Sequence, residues 1–309
     1  MATSSKSLLE FRERLEEICG PAAAGVLRSM SRPKRQACWL NPLVARPPEF
    51  EPPGRPVSGV DDMFSVDADL RETVTRHTGA RNGWLYPMNP SSMLAVDALA
   101  PRPGEEVLDL AAAPGGKTVA LAARMRNTGR IAAVEVVKGR FHRLRANLER
   151  CGVTNAQLYL ADGRTIGRKV PQRFDRVLLD APCSSEARVR FDDPSTHAHW
   201  KPRKIREASV KQAGLLRSAY RALKPGRLLV YCTCSFAPEE NEMVVNRLLK
   251  IEPGADLEPM DFPGVPQREG LVEWRGGGGG GRPAPAGPGG GAGPPAGCLV
   301  FSLCFGGGG

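Results

Sequence analysis

From residue 105 onward, short unbroken apolar runs alternate with stretches of helical spacing. Glu106–Leu110, Arg130–Val136, Ala156–Ala161, Phe174–Asp180 and Arg227–Thr233 read as strands. Lys117–Met125, Lys138–Cys151, Pro202–Leu223 and Pro238–Lys250 read as helices. Continuous apolar runs mark strands covered on both faces, and regular alternation with helices predicts a mainly parallel sheet flanked by helices. Right-handed crossovers winding outward from the first strand favour the order 3-2-1-4-5.

The rest of the chain is less periodic. Residues 5–31 read as two short helices, the first with a stripe of Leu8, Leu9, Leu15 and Ile18 and a stop at Gly20-Pro21. Residues 32–60 are proline-rich and read as irregular around one apolar segment, Cys38-Trp39-Leu40. A helix over Asp69–His77, a short strand at Trp84–Tyr86 and a helix near Ser91–Leu99 follow, with Pro90 suited to the last helix's first turn. Residues 276–297 hold twelve glycines and five prolines, too little apolar surface to fold alone, and read as flexible. Cys298–Phe305 is apolar again and can return as a last strand, paired with Ala255–Met260. The expected division is therefore an N-terminal region (1–104), an α/β domain (105–275), a glycine/proline segment (276–297) and a closing strand with a glycine tail (298–309).

Charge sharpens this picture. The chain carries a formal net charge of +10, and residues 105–250 alone hold 27 basic and 15 acidic groups. The excess sits on the α/β domain, which suits a polyanion such as RNA as well as it suits a solvated basic surface. Arg28, Arg32, Lys34 and Arg35 form a second cluster, suited equally to phosphates and to an exposed linker. Eight cysteines with no leader pattern, several inside predicted elements, point to a reducing, cytoplasmic setting rather than a disulfide framework. No apolar run reaches the length of a membrane span.

In an open parallel sheet, ligands bind beyond the carboxyl ends of the strands. Strand one runs into Ala111-Ala112-Ala113-Pro114-Gly115-Gly116-Lys117, a tight turn that aims a helix N-terminus at a ligand. It is neither a dinucleotide fingerprint nor a Walker loop. Strands two to five end at Glu135, Asp162, Asp180-Ala181-Pro182-Cys183 and Thr233-Cys234-Ser235. Glu135 can take a ribose diol and Asp162 an adenine amine, although either acid alone is as readily a helix cap. Two such acids without a phosphate loop fit an adenosine ligand, of which S-adenosylmethionine is an example. Cys151 and Cys232 read as core. Cys183 and Cys234 lie just past strand ends, on tracks about 5 Å apart if those strands are neighbours. Such a pair serves as nucleophiles, a reversible disulfide or half a metal site; no further Cys or His pair completes a metal set, and none is expected.

These residues in order resemble the Sun family of RNA cytosine-carbon-5 methyltransferases, most closely its bacterial ribosomal type. The likeness rests on the turn through Thr118, Asp162-Gly163, Asp180-Ala181-Pro182-Cys183-Ser184, Tyr231-Cys232-Thr233-Cys234-Ser235, Pro238-Glu239-Glu240-Asn241-Glu242 and Asn89-Pro90-Ser91-Ser92-Met93. It implies a Rossmann-like methyltransferase fold with a small N-terminal helical or α+β region that contacts RNA. It also implies S-adenosylmethionine as cofactor, RNA as partner (ribosomal before transfer RNA) and a monomer. Cys234 is the implied nucleophile, adding to carbon 6 so that carbon 5 can attack the methyl group. Asp180 is implied to bond the cytosine, a donor role that needs a raised pKa, and Cys183 to assist release. Residues 111–117, Glu135, Arg140, Asp162 and Asp180 are the implied cofactor set. Lys117 is open between the cofactor carboxylate and the RNA. Arg188, Arg190, Lys201, Arg203, Lys204 and Arg206 are candidates for the RNA backbone. The chain departs from the family's Ser-Gly-Glu-Gly at Ser184-Ser185-Glu186-Ala187, which predicts a stiffer loop. Other readings are the same chemistry on transfer RNA, a non-catalytic RNA-binding factor on this scaffold, and a nicotinamide dehydrogenase, which the missing glycine fingerprint disfavours.

Overall fold

The computed structural model describes residues 2–32, 35–67, 71–265, 270–271, 274 and 299–305. The chain opens with α1 (Ala2–Cys19) and α2 (Ala23–Met30). Three short strands follow: β1 (Gln36–Leu40), β2 (Arg55–Pro56) and β3 (Met63–Val66). After the small helices α3 (Arg71–Arg76) and α4 (Thr78–Arg81) comes β4 (Leu85–Pro87). These strands form an antiparallel sheet in the order β2-β3-β1-β4. This corrects the irregular reading of residues 32–60. The strands are only two to five residues long, so the two-residue period has no room to repeat. Cys38-Trp39-Leu40 is the centre of that sheet, paired with Met63–Phe64 on one side and 85–87 on the other. Part of the helix expected from Asp69 lies outside the described residues, as does Lys34.

α5 (Pro90–Leu99) starts at an Asn89 cap, whose side chain accepts from the Ser91 N–H at 3.0 Å, with Pro90 in the first turn. The large sheet follows in strict alternation. It comprises β5 (Glu106–Asp109), α6 (Gly116–Arg124), β6 (Arg130–Glu135), α7 (Lys138–Arg150), β7 (Ala156–Leu160), α8 (Ile166–Lys169), β8 (Phe174–Asp180), α9 (Pro202–Ala222) and β9 (Leu223–Thr233). Then come α10 (Glu242–Ile251), β10 (Ala255–Glu258) and β11 (Leu299–Phe305). The order is β10-β11-β9-β8-β5-β6-β7, so the five parallel strands follow the 3-2-1-4-5 winding read from the sequence. β11 runs antiparallel to both β9 and β10. The tract 276–297 and Cys298 lie outside the described residues.

The two-residue period of each strand sorts its side chains between two cores. Val107, Ile131, Ala133, Leu178, Val230 and Cys232 face α5, α6 and α7. Leu108, Ala132, Val134, Val177, Leu179, Leu229 and Tyr231 face α8, α9 and α10. Burial on both faces is why these strands read as unbroken apolar runs. A third core joins Phe11, Leu15, Ile18 and Met30 of the N-terminal helices to Val189, Trp200, Ile205 and Ala237. The N-terminal helices thus brace the loops after β8 and β9. Among the described residues no helix is long and apolar enough to cross a membrane.

Candidate active site

The glycine turn is fixed from three sides. Beyond β5, the Leu110 N–H donates to Leu178 O at 3.0 Å and the Ala112 N–H to Val134 O at 2.9 Å, so the chain stays stitched to both neighbours before it turns at a cis Ala113–Pro114 bond. Gly115 has φ +113°, a conformation that side chains oppose. At Gly116 a β-carbon would come within 2.7 Å of Tyr86 Cε1, so the ring from β4 requires glycine there. Arg140 donates to Ala113 O at 2.6 Å and Asn147 to Pro114 O at 2.8 Å. Beneath the turn, Thr118 donates to the buried Asp109 carboxylate at 2.7 Å. Burial raises the Asp109 pKa to about 6.

The two strand-end acids differ. Glu135, at the end of β6, is 3% exposed, and its Oε1 accepts the Val137 N–H at 2.8 Å. Among the described residues its Oε2 has no hydrogen-bond partner and is met only by an ion pair with Arg140 Nη1 at 3.4 Å. Val136 and Leu160 lie exposed beside it. Asp162, by contrast, is occupied. It accepts the Arg164 N–H at 3.0 Å and a two-pronged bond from the Arg164 guanidinium, which lowers its pKa. That is the cap geometry the sequence left open.

At the end of β8, Lys117 Nζ donates to Asp180 Oδ2 at 2.6 Å and to Ser92 Oγ at 3.4 Å. Asp180 pairs in register with Cys232 on β9, so the loops carrying Cys183 and Cys234 leave the sheet side by side. Their sulfurs are 3.2 Å apart. One proton cannot serve both equally. The bond from the Cys183 thiol, with the contacts to the Ser185 hydroxyl and Arg188, lowers the Cys234 pKa to about 6, while the same bond and burial raise that of Cys183. Cys232 is buried inside β9.

A buried polar network clamps the two loops together. Glu240 accepts from the Ser184 N–H at 2.9 Å, from Gln212 at 2.8 Å and from Ser235 Oγ at 2.8 Å. Glu186 accepts from Trp200 Nε1 at 2.9 Å and from the Phe236 N–H at 2.9 Å, and burial raises its pKa. Asn241 donates to Ser235 O at 3.0 Å and Ala237 O at 2.9 Å. Nearly all of these groups are side chains whose donors and acceptors are matched, the condition under which buried polar atoms are tolerated.

The structure therefore brings Lys117, Asp180, Cys183 and Cys234 to one place at the carboxyl edge of the sheet, with the 111–117 turn, Arg140 and Glu135 on the adjoining side. Asp162 is beyond Glu135 and turned to Arg164. Of the basic candidates, Arg190 pairs with Asp192 at 2.5 Å and Arg203 with Glu207 at 2.8 Å, while Arg188, Lys201, Lys204 and Arg206 are exposed. Arg35 pairs with Asp67 at 3.1 Å. Sequence reasoning missed Asp109, Thr118, Ser185, Glu186, Gln212 and Glu240 as parts of the site. For Asp109 the signal was an acid inside an apolar strand.

Residues 96–272 match the family described as 16S rRNA methyltransferase RsmB/F. Ribosomal RNA small subunit methyltransferase F of Escherichia coli is 39% identical over 256 residues, covering 77% of this chain and 53% of its own length. The chain thus spans about half the length of the curated relatives it matches. A methyltransferase homolog protein from Pyrococcus horikoshii is 28% identical, with a TM-score of 0.73 over 98% of this chain and 99% of that one. NSun6 from the same organism shares the fold at 20% identity, with a TM-score of 0.69 over 96% and 97% of the two chains.

Proposed function

The chain belongs to the RsmB/F family of 16S rRNA methyltransferases, and from that premise we propose that it transfers a methyl group from S-adenosylmethionine to carbon 5 of a cytosine in ribosomal RNA. The observation that carries the reading is the pair of sulfurs 3.2 Å apart beside a Lys117–Asp180 pair, all at the ligand-binding edge of the sheet.

The residues present fit the cofactor. Glu135 offers a buried carboxylate oxygen without a hydrogen bond, the state a ribose hydroxyl would relieve. The 111–117 turn has neither the dinucleotide fingerprint nor the Walker spacing, which suits a ligand with an amino acid tail instead of phosphates. Bound there, S-adenosylmethionine supplies an electrophilic methyl group. Asp162, spent on Arg164, is a weaker partner for an adenine amine than Glu135 is for the ribose.

Cys234 enters as thiolate and forms a bond to carbon 6 of the cytosine. The electrons of the 5,6 double bond shift toward the ring and would return through carbon 5 to the methyl group as its bond to the sulfonium breaks, that electron pair leaving with the sulfur as a neutral thioether. With Lys117 donating to it at 2.6 Å, Asp180 serves as an acceptor from the exocyclic amine in place of the donor role the resemblance implied, and Lys117 holds positive charge where the ring becomes electron-rich. A base then removes the carbon-5 proton, the double bond re-forms and the Cys234 sulfur leaves. Cys183, kept protonated, is the proton donor within reach of that departing sulfur. A base inside a stem must first be turned out of it.

The test is transfer of a labelled methyl group to 16S rRNA, assembled small subunits and transfer RNA, by wild type and Cys234→Ala. Label as 5-methylcytosine in ribosomal RNA, absent with Cys234→Ala, is the expected result. Turnover that survives the substitution, or label on another atom, refutes the covalent route; label only in transfer RNA refutes the substrate.

A further inference from the structure

The Cys234 thiol donates to the Ser185 hydroxyl oxygen at 3.6 Å, and a hydroxyl, being donor as well as acceptor, turns its own proton to that sulfur once the sulfur is ionised. The hydroxyl arrives there by an unfavourable route. Ser185 has φ +62° and ψ +32°, the left-handed region that residues with a β-carbon seldom enter. Such a conformation lasts only where the surroundings over-determine it, and it gathers at working sites. Here the chain is fastened on both sides. The Ser184 N–H before it donates to Glu240 at 2.9 Å. After it, Glu186 is locked by Trp200 and the Phe236 N–H, and the Ala187 N–H donates to the carbonyl of Cys234 itself at 3.0 Å. The loop of one sulfur is thereby docked on the backbone of the other, with Ser185 between them.

We infer that Ser185 is a further catalytic residue: its hydroxyl hydrogen-bonds the Cys234 sulfur and keeps the thiolate there instead of on Cys183, 3.2 Å away. The inference rests on Cys234 being the nucleophile. The competition is real, because the Cys183 sulfur accepts the backbone N–H of Cys234 at 3.4 Å, a contact that favours charge on the wrong sulfur. Around Cys234, the Cys183 thiol, the Ser185 hydroxyl and the Arg188 guanidinium favour the thiolate, while burial and the Asp180 carboxylate oppose it. Of that set, Cys183 is the proposed proton donor and Arg188 is exposed, so Ser185 is the half-buried hydroxyl left to hold the charge on Cys234.

The experiment is alkylation by iodoacetamide across pH 5 to 9, with the modified cysteine identified by peptide mass spectrometry. In wild type, Cys234 reacts with a midpoint near pH 6 and Cys183 reacts far less. Ser185→Gly removes the hydroxyl and suits the left-handed backbone, so its melting temperature is retained or raised. Its Cys234 midpoint rises to about pH 7, and at neutral pH the preference for Cys234 over Cys183 drops by up to about tenfold. Ser185→Ala shifts the midpoint in the same direction with a lower melting temperature, so either variant reports if the other fails to fold. A wild-type midpoint and preference in both variants overturns the role of Ser185. Cys234→Ala in the methyl-transfer assay separates the two ideas: if it abolishes the RNA adduct while Ser185→Gly alkylates like wild type, only the Ser185 inference falls. If the adduct survives Cys234→Ala, the parent reading falls.

Discussion

The two halves of the sheet's carboxyl edge are built on opposite plans. On the β5–β6–β7 side the walls are backbone: a glycine turn whose carbonyls are fixed by Arg140 and Asn147, and one carboxylate oxygen left unbonded. On the β8–β9 side the walls are buried side chains that bond one another, with Glu186, Gln212, Ser235, Glu240 and Asn241 tying two loops into one body. The difference follows from what each half must do in the proposed reaction. A cofactor that comes and goes needs groups whose partners it can supply itself. A sulfur that forms and breaks a carbon bond needs a position fixed to a few tenths of an ångström, which a dense set of buried hydrogen bonds provides.

Four substitutions set the halves against each other. Cys183→Ala removes the proposed proton donor from the rigid half, and turnover falls by about 10²-fold while the covalent RNA adduct accumulates. Gel retardation after denaturation checks this, and an adduct that fails to accumulate places Cys183 outside the release step. Glu240→Ala leaves the Ser184 N–H and Ser235 Oγ without that acceptor and strips one of the two Gln212 amide hydrogens of its partner, the other keeping Pro182 O, so stability drops by about 2–4 kcal/mol. Urea unfolding reads the loss, and a wild-type midpoint would dissolve the idea of a clamp. Glu135→Gln keeps the bond to the Val137 N–H but weakens the charge offered to a ribose, and S-adenosylmethionine binding weakens by about tenfold, ~1.4 kcal/mol, with the apo melting temperature unchanged. Asp162→Asn, at an acid already satisfied by Arg164, changes binding by less than about threefold. Calorimetric titration of both variants decides whether the two acids are as unequal as their geometry indicates; equal losses would put Asp162 back beside Glu135.

The α/β order was legible because β5, β6 and β8 are buried on both faces, which writes itself into the chain as Val107–Leu110, Ile131–Val134 and Val177–Leu179. The small sheet was not, because pairs such as Trp39 with Met63 and with Tyr86 join segments too short to carry a period. The candidate site positions were visible as residues just past strand ends, a rule of topology that needs no coordinates.

What the sequence determined by itself was local: where strands end, which turn cannot carry a β-carbon, and which thiols and acids stand at those ends. Only the tertiary structure decided how the groups are used, because hydrogen bonds between distant segments are absent from any local pattern. Glu135 keeps an open oxygen while Asp162 is consumed by Arg164, although both acids end neighbouring strands. Cys183 and Cys234, 51 positions apart, meet at 3.2 Å. The acidity of each sulfur is then set by what donates to it in space, a property no reading along the chain contains.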